Sequence, residues 1–134
     1  MKYLLDTHIL FWSMSEESKL SEQTLALIND PENEIFFSTA SVWEVVIKHA
    51  KNARSMPVNG PDFVEACIKA GFIPLPIENQ HVLAVSKLKR KKGEPPHQDP
   101  FDRVLIAQAK TEKMILITHD ALLNGYNEKC VMEV

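Results

Sequence analysis

Short apolar runs alternate along the chain with longer segments in which apolar residues recur every three or four positions. The short runs are typical of buried strands, and the longer pattern is typical of amphipathic helices. The predicted strands cover residues 2–5, 34–38, 72–76, 114–118 and 129–134. The first predicted helix begins at Thr7, and the others cover residues 21–30, 41–52, 61–70, 79–92 and 100–113. Because strands that alternate with helices form βαβ units, the sequence predicts an α/β fold around a mostly parallel sheet of about five strands.

Two of these helices carry patterns that predict how they are capped and which face they bury. In the helix over 41–52, Ser41 is the predicted N-cap, and Glu44 at the third helical position completes a capping box. The apolar spacing of the same helix predicts a buried stripe formed by Trp43, Val46, Ile47 and Ala50. The helix over 79–92 becomes basic in its C-terminal half, which suits the negative end of the helix dipole.

The length and composition are those of one ordinary globular domain. The chain has 134 residues, of which 45% are hydrophobic and 25% are charged, so we expect residues 1–134 to form a single domain. No apolar run approaches the roughly 18 residues that span a membrane. Asp6 and His8 interrupt the apolar opening segment too early for a signal peptide. Cys67 and Cys130 belong to no paired motif, so we expect neither a disulfide framework nor a zinc ribbon, and a reducing cytoplasmic location.

Charge is distributed unevenly along the chain. The formal net charge is −3, which argues against a protein that coats DNA. Residues 87–93, KLKRKKG, contain five of the 15 bases and no acid, so the remainder carries 10 bases against 18 acids. The sequence therefore has one basic stretch and an acidic remainder, and the positions of the acids become informative.

Two aspartates follow predicted strands directly. Asp6 lies at the carboxyl end of the first strand and Asp120 just beyond the fourth, where open parallel sheets bind their ligands. Each could equally be the N-cap of a following helix. Glu44 likewise could be a capping glutamate with a contact to Lys48 one turn later. These acids are therefore candidates both for a functional site and for helix capping.

The segment DPFDR, residues 99–103, contains two aspartates with different expected roles. Asp99 before Pro100 is a conventional helix start, with the aspartate as N-cap and proline at the first helical position. Asp102 shares a helix face with Ile106 and Ala109, which directs it toward the core or the sheet edge. A carboxylate in that position is costly unless a cation compensates it. We therefore expect Asp99 to cap the helix and Asp102 to have a cationic partner.

A divalent cation would neutralise these acids together. Three or four carboxylates without a histidine and cysteine set favour an oxygen-preferring ion such as Mg²⁺ or Mn²⁺. Such an ion activates water and stabilises charge on a phosphoryl oxygen in many nucleases. The acids therefore predict a metal site suited to phosphodiester hydrolysis.

Four segments carry a pattern found in a known family. They are YLLDTHILFW at the start, STASVWEVVIKHAK around Glu44, HQDPFDRVLIAQAK around Asp102 and ILITHD around Asp120. Together, in this order and over nearly the whole chain, they resemble the PIN domain, and specifically the toxin ribonucleases of the VapC type. The resemblance implies a three-layer α/β/α fold, a Mg²⁺- or Mn²⁺-dependent endoribonuclease, a homodimer, and neutralisation by a small antitoxin that occupies the acidic cleft.

The resemblance also implies roles for individual residues. Catalytic and metal-binding roles fall on Asp6, Glu44, Asp102 and Asp120. Asp99 is the extra aspartate of the DPFD form and is assigned as a helix cap or an outer neighbour of the metal, and Thr118 is the polar residue typical near the last acid.

The candidates for binding the RNA backbone are basic, because cations near phosphates supply salt-dependent binding: Lys87, Lys89, Arg90, Lys91, Lys92 and Arg103. Any one of these lysines could instead belong to a solvated helix end.

Other function classes fit the sequence less well or remain open. A phosphatase with an aspartate nucleophile would have a second aspartate two residues after Asp6, and this chain has His8 there. A P-loop hydrolase is excluded because the chain has four glycines and no glycine-rich phosphate loop. A non-catalytic RNA- or protein-binding module and a general RNA-processing nuclease remain as alternatives to a toxin.

Overall fold

The computed structural model describes all residues 1–134 and contains five strands, every one at a predicted position. The strands are β1 (Lys2–Leu5), β2 (Glu34–Ser38), β3 (Ile73–Leu75), β4 (Ile115–Thr118) and β5 (Val131–Glu133). They form one sheet in the order β3-β2-β1-β4-β5, and each neighbouring pair is parallel. The prediction of an α/β fold on a parallel sheet of five strands is confirmed.

Six helices connect the strands. They are α1 (Thr7–Ser15), α2 (Glu22–Asn29), α3 (Thr39–Lys51), α4 (Gly60–Lys69), α5 (Asn79–Val85) and α6 (Pro100–Glu112). Short 3₁₀ turns cover Glu17–Lys19 and Ala121–Gly125. None of these helices is long and apolar enough to cross a membrane.

Alternation of side chains along the strands divides the interior into two cores. Leu4 of β1 packs on one face of the sheet, in a buried cluster that includes Leu105 of α6. The next residue, Leu5, packs on the other face, with Ile9 of α1 and Phe63 of α4. Since both faces of the sheet are covered by helices, the domain has the three-layer α/β/α architecture that was expected.

The order of the strands creates a crevice at one edge of the sheet. From β1 the chain proceeds outward through β2 to β3, then returns across the sheet to β4 on the other side of β1. The connections that follow β1 and β4 therefore run in opposite directions across the sheet, and the carboxyl ends of these two strands lie at a topological switch point. Asp6 follows β1 and Asp120 follows β4, so the topology brings two of the predicted acids to this crevice.

The predicted capping and burial of the α3 helix are wrong. The helix begins at Thr39, and the Ser38 hydroxyl accepts the N-terminal hydrogen bond from Ala40 N at 2.9 Å. Ser41 is fully buried, whereas the side chains of the predicted apolar stripe face outward: Trp43 is 57% exposed, and Val46 and Ile47 are also exposed. Apolar spacing identifies one face of a helix, but in α3 the polar face packs inward, because its side chains belong to a buried network of hydrogen bonds.

The predicted helix over 79–92 is also too long. Helix α5 ends at Val85, and residues 86–99 run on as an irregular segment that pairs only at Arg90, opposite Tyr126. Leu88 is buried in the core on the α6 side of the sheet, which draws the chain away from the helix axis. The basic stretch therefore lies on a loop and not on a helix end.

Candidate metal centre

Asp6 is held rigidly at the end of β1. Its Oδ1 accepts a hydrogen bond from Thr7 N at 2.6 Å, which makes it the N-cap of α1, and its Oδ2 accepts one from the Thr118 hydroxyl at 2.7 Å. The side chain is almost completely buried. Burial raises the pKa of Asp6 above its ordinary value, and the charge of Glu44 adds to that increase, although the two hydrogen bonds oppose it.

Thr118 connects Asp6 to the second aspartate of the crevice. Its hydroxyl oxygen accepts a hydrogen bond from Asp120 N at 3.0 Å while donating to Asp6. Asp120 in turn caps the 3₁₀ turn that follows β4, since its Oδ1 accepts from Leu122 N at 2.9 Å. Both aspartates therefore cap the helix or turn that follows them, as one of the two interpretations of the sequence predicts, and both lie at the crevice.

Glu44 reaches the same region from the buried face of α3. Its Oε1 accepts a hydrogen bond from the Thr7 hydroxyl at 2.7 Å, and the hydroxyl oxygens of Thr7 and Ser41 lie 2.9 Å apart. Its Oε2 forms an ion pair of 2.5 Å with Lys48, one turn along the helix. Glu44 thus has its own compensating cation, and this buried network explains why the polar face of α3 turns inward.

Asp99 and Asp102 occupy the start of α6. Asp99 Oδ1 accepts a hydrogen bond from Asp102 N at 3.0 Å and caps the helix. Burial raises the pKa of Asp102 to about 8, and the neighbouring charges of Asp6, Asp99, Glu44 and Asp120 add to that increase. Asp102 is therefore a carboxyl group whose ionisation is opposed both by burial and by the surrounding negative charges.

His97 lies against Asp102 and was not selected from the sequence. Its Nε2 is 3.1 Å from Asp102 Oδ2, and its side chain is only 6% exposed. The Tyr126 hydroxyl donates to the His97 carbonyl oxygen at 3.2 Å, so Nδ1–H donates to that hydroxyl at 2.7 Å. Burial and the nearby Arg90 charge lower the pKa of His97. The neutral ring therefore directs the lone pair of Nε2 toward Asp102, as a metal ligand would.

Arg90 fixes the loop that carries His97. Its guanidinium donates to Pro95 O at 2.9 Å and to Leu122 O at 2.6 Å, and lies 4.7 Å from the centroid of the Tyr126 ring. The guanidinium packs directly over Gly125, where a Cβ atom would displace it. Arg90 therefore orders the site from behind and is not free to bind a ligand.

Of the other predicted RNA-binding residues, the arginine is bonded to the protein backbone and the lysines are exposed. Arg103 donates from Nη2 to Val85 O at 3.2 Å, which ties α6 to α5. The four lysines of the basic stretch are exposed: Lys87, Lys89, Lys91 and Lys92. The structure leaves these four free to contact an anionic ligand.

The residues of the crevice fit a divalent cation. One ligand atom each from His97, Asp102 and Asp120 lie within 4.8 Å of one another, and Asp6 and Glu44 are not members of that mutually close group. The crevice contains more carboxylates than cations, and Lys48 is already ion-paired with Glu44. Two carboxylates and one imidazole nitrogen form a donor set that suits Mn²⁺ as well as Mg²⁺.

Comparisons with known proteins give one family and a group of similar folds. Residues 3–128 match the model of the PIN domain family. No curated protein matches the sequence significantly.

Two of the similar solved structures are VapBC assemblies. VapBC2 from Rickettsia felis, bound to a DNA fragment from its promoter, has a chain that is 14% identical, with a TM-score of 0.72 over 100% of this chain and 99% of that chain. VapBC-1 from nontypeable Haemophilus influenzae has a chain that is 20% identical, with a TM-score of 0.59 over 90% of this chain and 87% of that one. At these identities the likeness concerns the fold.

Proposed function

Because this chain belongs to the PIN domain family, a family of nucleases, we propose that it is a Mg²⁺- or Mn²⁺-dependent endoribonuclease that hydrolyses RNA phosphodiester bonds. The observation that carries the proposal is the group of carboxylates around Asp102. Burial, reinforced by the charges of the neighbouring carboxylates, raises the pKa of Asp102 to about 8, which is the electrostatic condition that a bound cation relieves. The proposed catalytic acids of this group are Asp6, Glu44, Asp102 and Asp120.

The proposed roles follow from the contacts of each side chain. Asp102, Asp120 and His97 would hold the ion, since their ligand atoms are the ones that lie close together. A divalent ion in such a site supplies an activated water and stabilises charge on a phosphoryl oxygen. Asp6 and Glu44, held by Thr118, Thr7 and Lys48, would orient water at the rim of that site.

Substrate binding needs cations away from the carboxylates, because the carboxylates repel the RNA backbone. We assign this role to the exposed lysines of the basic stretch, Lys87, Lys89, Lys91 and Lys92. Each lysine that neutralises a phosphate adds to the salt dependence of binding, so replacing all four with glutamine should flatten that dependence. Arg90 and Arg103 are left out of the set because they donate to backbone oxygens of the protein.

We further propose that the protein is the toxin of a type II toxin–antitoxin pair and forms a homodimer. The fold likeness to chains of two VapBC assemblies supports the first part. The proposed homodimer is supported by an open groove of about 520 Å³ between α3, α5 and α6. The apolar lining of this groove includes Trp43, Val82 and Phe101. Trp43 is 57% exposed and Val82 is 55% exposed, which is costly unless a second copy covers them. The antitoxin would occupy the acidic crevice.

A cleavage assay tests the activity directly. Purified protein is incubated with a panel of structured RNAs in Mg²⁺, in Mn²⁺ and in EDTA, beside the Asp102→Asn variant and the exposed-site control Asp30→Asn. We expect cleavage with 5′-phosphate products in either metal, no cleavage in EDTA, and activity only in the wild type and the control. Cleavage that persists in EDTA or in Asp102→Asn would refute the mechanism. Absence of measurable Mg²⁺ and Mn²⁺ binding by calorimetry would instead favour a non-catalytic module.

The toxin assignment has its own test. Expression of the wild-type chain alone should stop bacterial growth, and expression of Asp102→Asn should not. A short reading frame for a DNA-binding protein next to the gene should restore growth when its product is co-expressed. Growth that is unaffected by the wild-type chain, together with RNA cleavage in the tube, would favour a general RNA-processing nuclease.

A further inference from the structure

Beside the carboxylates lies a small cleft whose walls are aromatic. It has a volume of about 260 Å³ and is lined by five residues: Asp6, His8, Trp12, His119 and Asp120. Two of the lining residues are acids of the proposed metal centre, and the other three carry rings. A ligand in this cleft would therefore contact ring faces on one side and the reaction site on the other.

The three rings form a preassembled group. The centroid of the Trp12 ring is 5.7 Å from that of His8, with the planes 33° apart, and 5.2 Å from that of His119, with the planes 75° apart. His8 and His119 are exposed, while Trp12 is partly buried against the core. A hydrogen bond of 2.7 Å between His119 Nδ1 and the Val134 carbonyl oxygen fixes the second histidine. Because Trp12 is packed against the core and His119 is hydrogen-bonded, these two rings need little ordering when a planar ligand stacks on them.

Lysine side chains lie close to this aromatic cleft. Lys19 Nζ lies 5.6 Å from the centroid of the Trp12 ring and also pairs with Glu16 at 2.9 Å. An adjoining cleft of about 400 Å³ shares His8 and is also lined by the exposed Lys51, whereas Lys48 in the same cleft is already paired with Glu44. The two clefts together thus present a cation, aromatic rings and acids, which match the phosphates, a base and the scissile bond of a single nucleic-acid strand.

We propose that the cleft formed by His8, Trp12 and His119 is a subsite for one unpaired nucleobase next to the phosphodiester bond that is cut. A base carries no net charge, so it approaches Asp6 and Asp120 without the repulsion that a phosphate meets. Stacking on an aromatic side chain also tolerates any base, because every base has a π-face. The subsite makes single-stranded or looped RNA the substrate class, since a paired base cannot leave its stack without cost. This inference rests on the proposed ribonuclease activity.

The two tryptophans of the chain make the subsite directly measurable. Trp43 lies in the apolar groove on another surface, so Trp43→Phe leaves Trp12 as the only fluorescent indole, and Trp12→Phe leaves Trp43. The probes are oligoadenylate and an abasic ribose-phosphate oligomer of equal length, both in EDTA so that neither strand is cut. We expect saturable quenching of Trp12 fluorescence by oligoadenylate and not by the abasic oligomer. Trp43 fluorescence, in the Trp12→Phe protein, should respond to neither probe.

A paired substitution separates stacking from charge. His8→Ala with His119→Ala should weaken oligoadenylate binding about tenfold, the loss expected of one stacked base, and leave abasic-oligomer binding unchanged. Equal quenching of Trp12 by the two oligomers, or equal loss of affinity for both in the double variant, would overturn the subsite.

Failure of the subsite and failure of the proposed activity give different results. If the protein cuts RNA in Mn²⁺ but the double variant cuts with unchanged KM and kcat, the subsite is wrong and the ribonuclease stands. If Trp12 is quenched by oligoadenylate and no RNA is ever cut in metal, the base site stands and the activity is wrong. Calorimetric Mn²⁺ titration of the double variant should match the wild type, which shows that the carboxylates are intact.

Discussion

The Thr118 hydroxyl donates a hydrogen bond of 2.7 Å to Asp6 Oδ2 across 112 positions of sequence, and accepts one of 3.0 Å from Asp120 N. One buried hydroxyl thus sets the separation of two aspartates that leave different strands. Removing it would leave the Asp6 carboxylate with the Thr7 amide as its hydrogen-bond donor and Asp120 N without an acceptor.

We expect Thr118→Val to lower the free energy of unfolding by about 1–3 kcal/mol, the usual cost of unsatisfied buried polar groups. Mn²⁺ affinity should fall as well, because Asp120 loses the hydrogen bond that orients its backbone. Thr118→Ser retains the hydroxyl and serves as the control. Urea unfolding and Mn²⁺ calorimetry of the three proteins check this, and identical Mn²⁺ affinities in the Val and Ser variants would contradict it.

Asp102 should make the metal-free protein less stable as the pH rises. Its pKa is about 8 in the folded protein against an ordinary value of 3.8, so between these values the folded state retains a proton that the unfolded chain releases. The free energy of unfolding therefore falls as the pH rises through this window.

Asp102→Asn removes this titration, so in EDTA at pH 8 we expect it to be more stable than the wild type, by several degrees in Tm. The difference should shrink toward pH 4, where the aspartate is protonated in both states. Asp30→Asn, at an exposed position, should behave as the wild type does. Scanning calorimetry at pH 5 and pH 8 measures the effect, and a lower Tm for Asp102→Asn at pH 8 would show that the carboxylate is compensated without metal.

His97 should give the metal centre a nitrogen ligand. The lone pair of Nε2 faces Asp102 Oδ2 at 3.1 Å, a separation close to that of two adjacent ligands about an octahedral ion with bonds of roughly 2.1 Å. Imidazole favours Mn²⁺ over Mg²⁺. We therefore expect His97→Gln to weaken Mn²⁺ binding about tenfold or more and Mg²⁺ binding much less.

Pulsed electron paramagnetic resonance of bound Mn²⁺ provides the decisive measurement for His97. Modulation by a directly bonded ¹⁴N nucleus should be present in the wild type and absent in His97→Gln. His49→Gln is the matched control, because His49 bonds to the Met56 carbonyl oxygen and lies outside the carboxylate group. Tightly bound Mn²⁺ without nitrogen modulation in the wild type would reduce His97 to a residue that orients Asp102.

The apolar groove should control the oligomeric state. Val82→Asp places a charge on an exposed position that lines the groove, and we expect it to convert a dimer to a monomer with little change in unfolding midpoint. Ile68→Asp is a matched control, since Ile68 on α4 is also 55% exposed but does not line the groove. Analytical ultracentrifugation distinguishes the outcomes. A monomeric wild type at micromolar concentration would refute the homodimer.

The sheet could be predicted from the sequence because each strand is a short apolar run with a clear boundary. Leu4 and Leu5 pack on opposite faces, so continuous apolar character was the correct signal for strands buried on both sides. The positions of Asp6 and Asp120 beyond strand ends also follow from pattern alone. Their meeting depends on strand order, which a single sequence does not encode locally.

The errors in the prediction arise from long-range contacts. Ser41 and Glu44 are buried because Thr7, from a different helix, provides their partner, and helical periodicity contains no information on that contact. His97 was missed because its approach to Asp102 requires the Tyr126 hydroxyl from beyond the fourth strand. The only local signal was a histidine two residues before the Asp99 cap.

The order of the crevice residues along the chain affects when the centre can form during synthesis. Asp6 leaves the first strand, whereas Asp120 follows the fourth, and both share the hydroxyl of Thr118. A ribosome must therefore translate beyond Asp120 before the carboxylates can gather. A chain truncated before Asp120, or one still growing toward it, therefore lacks part of this group of carboxylates.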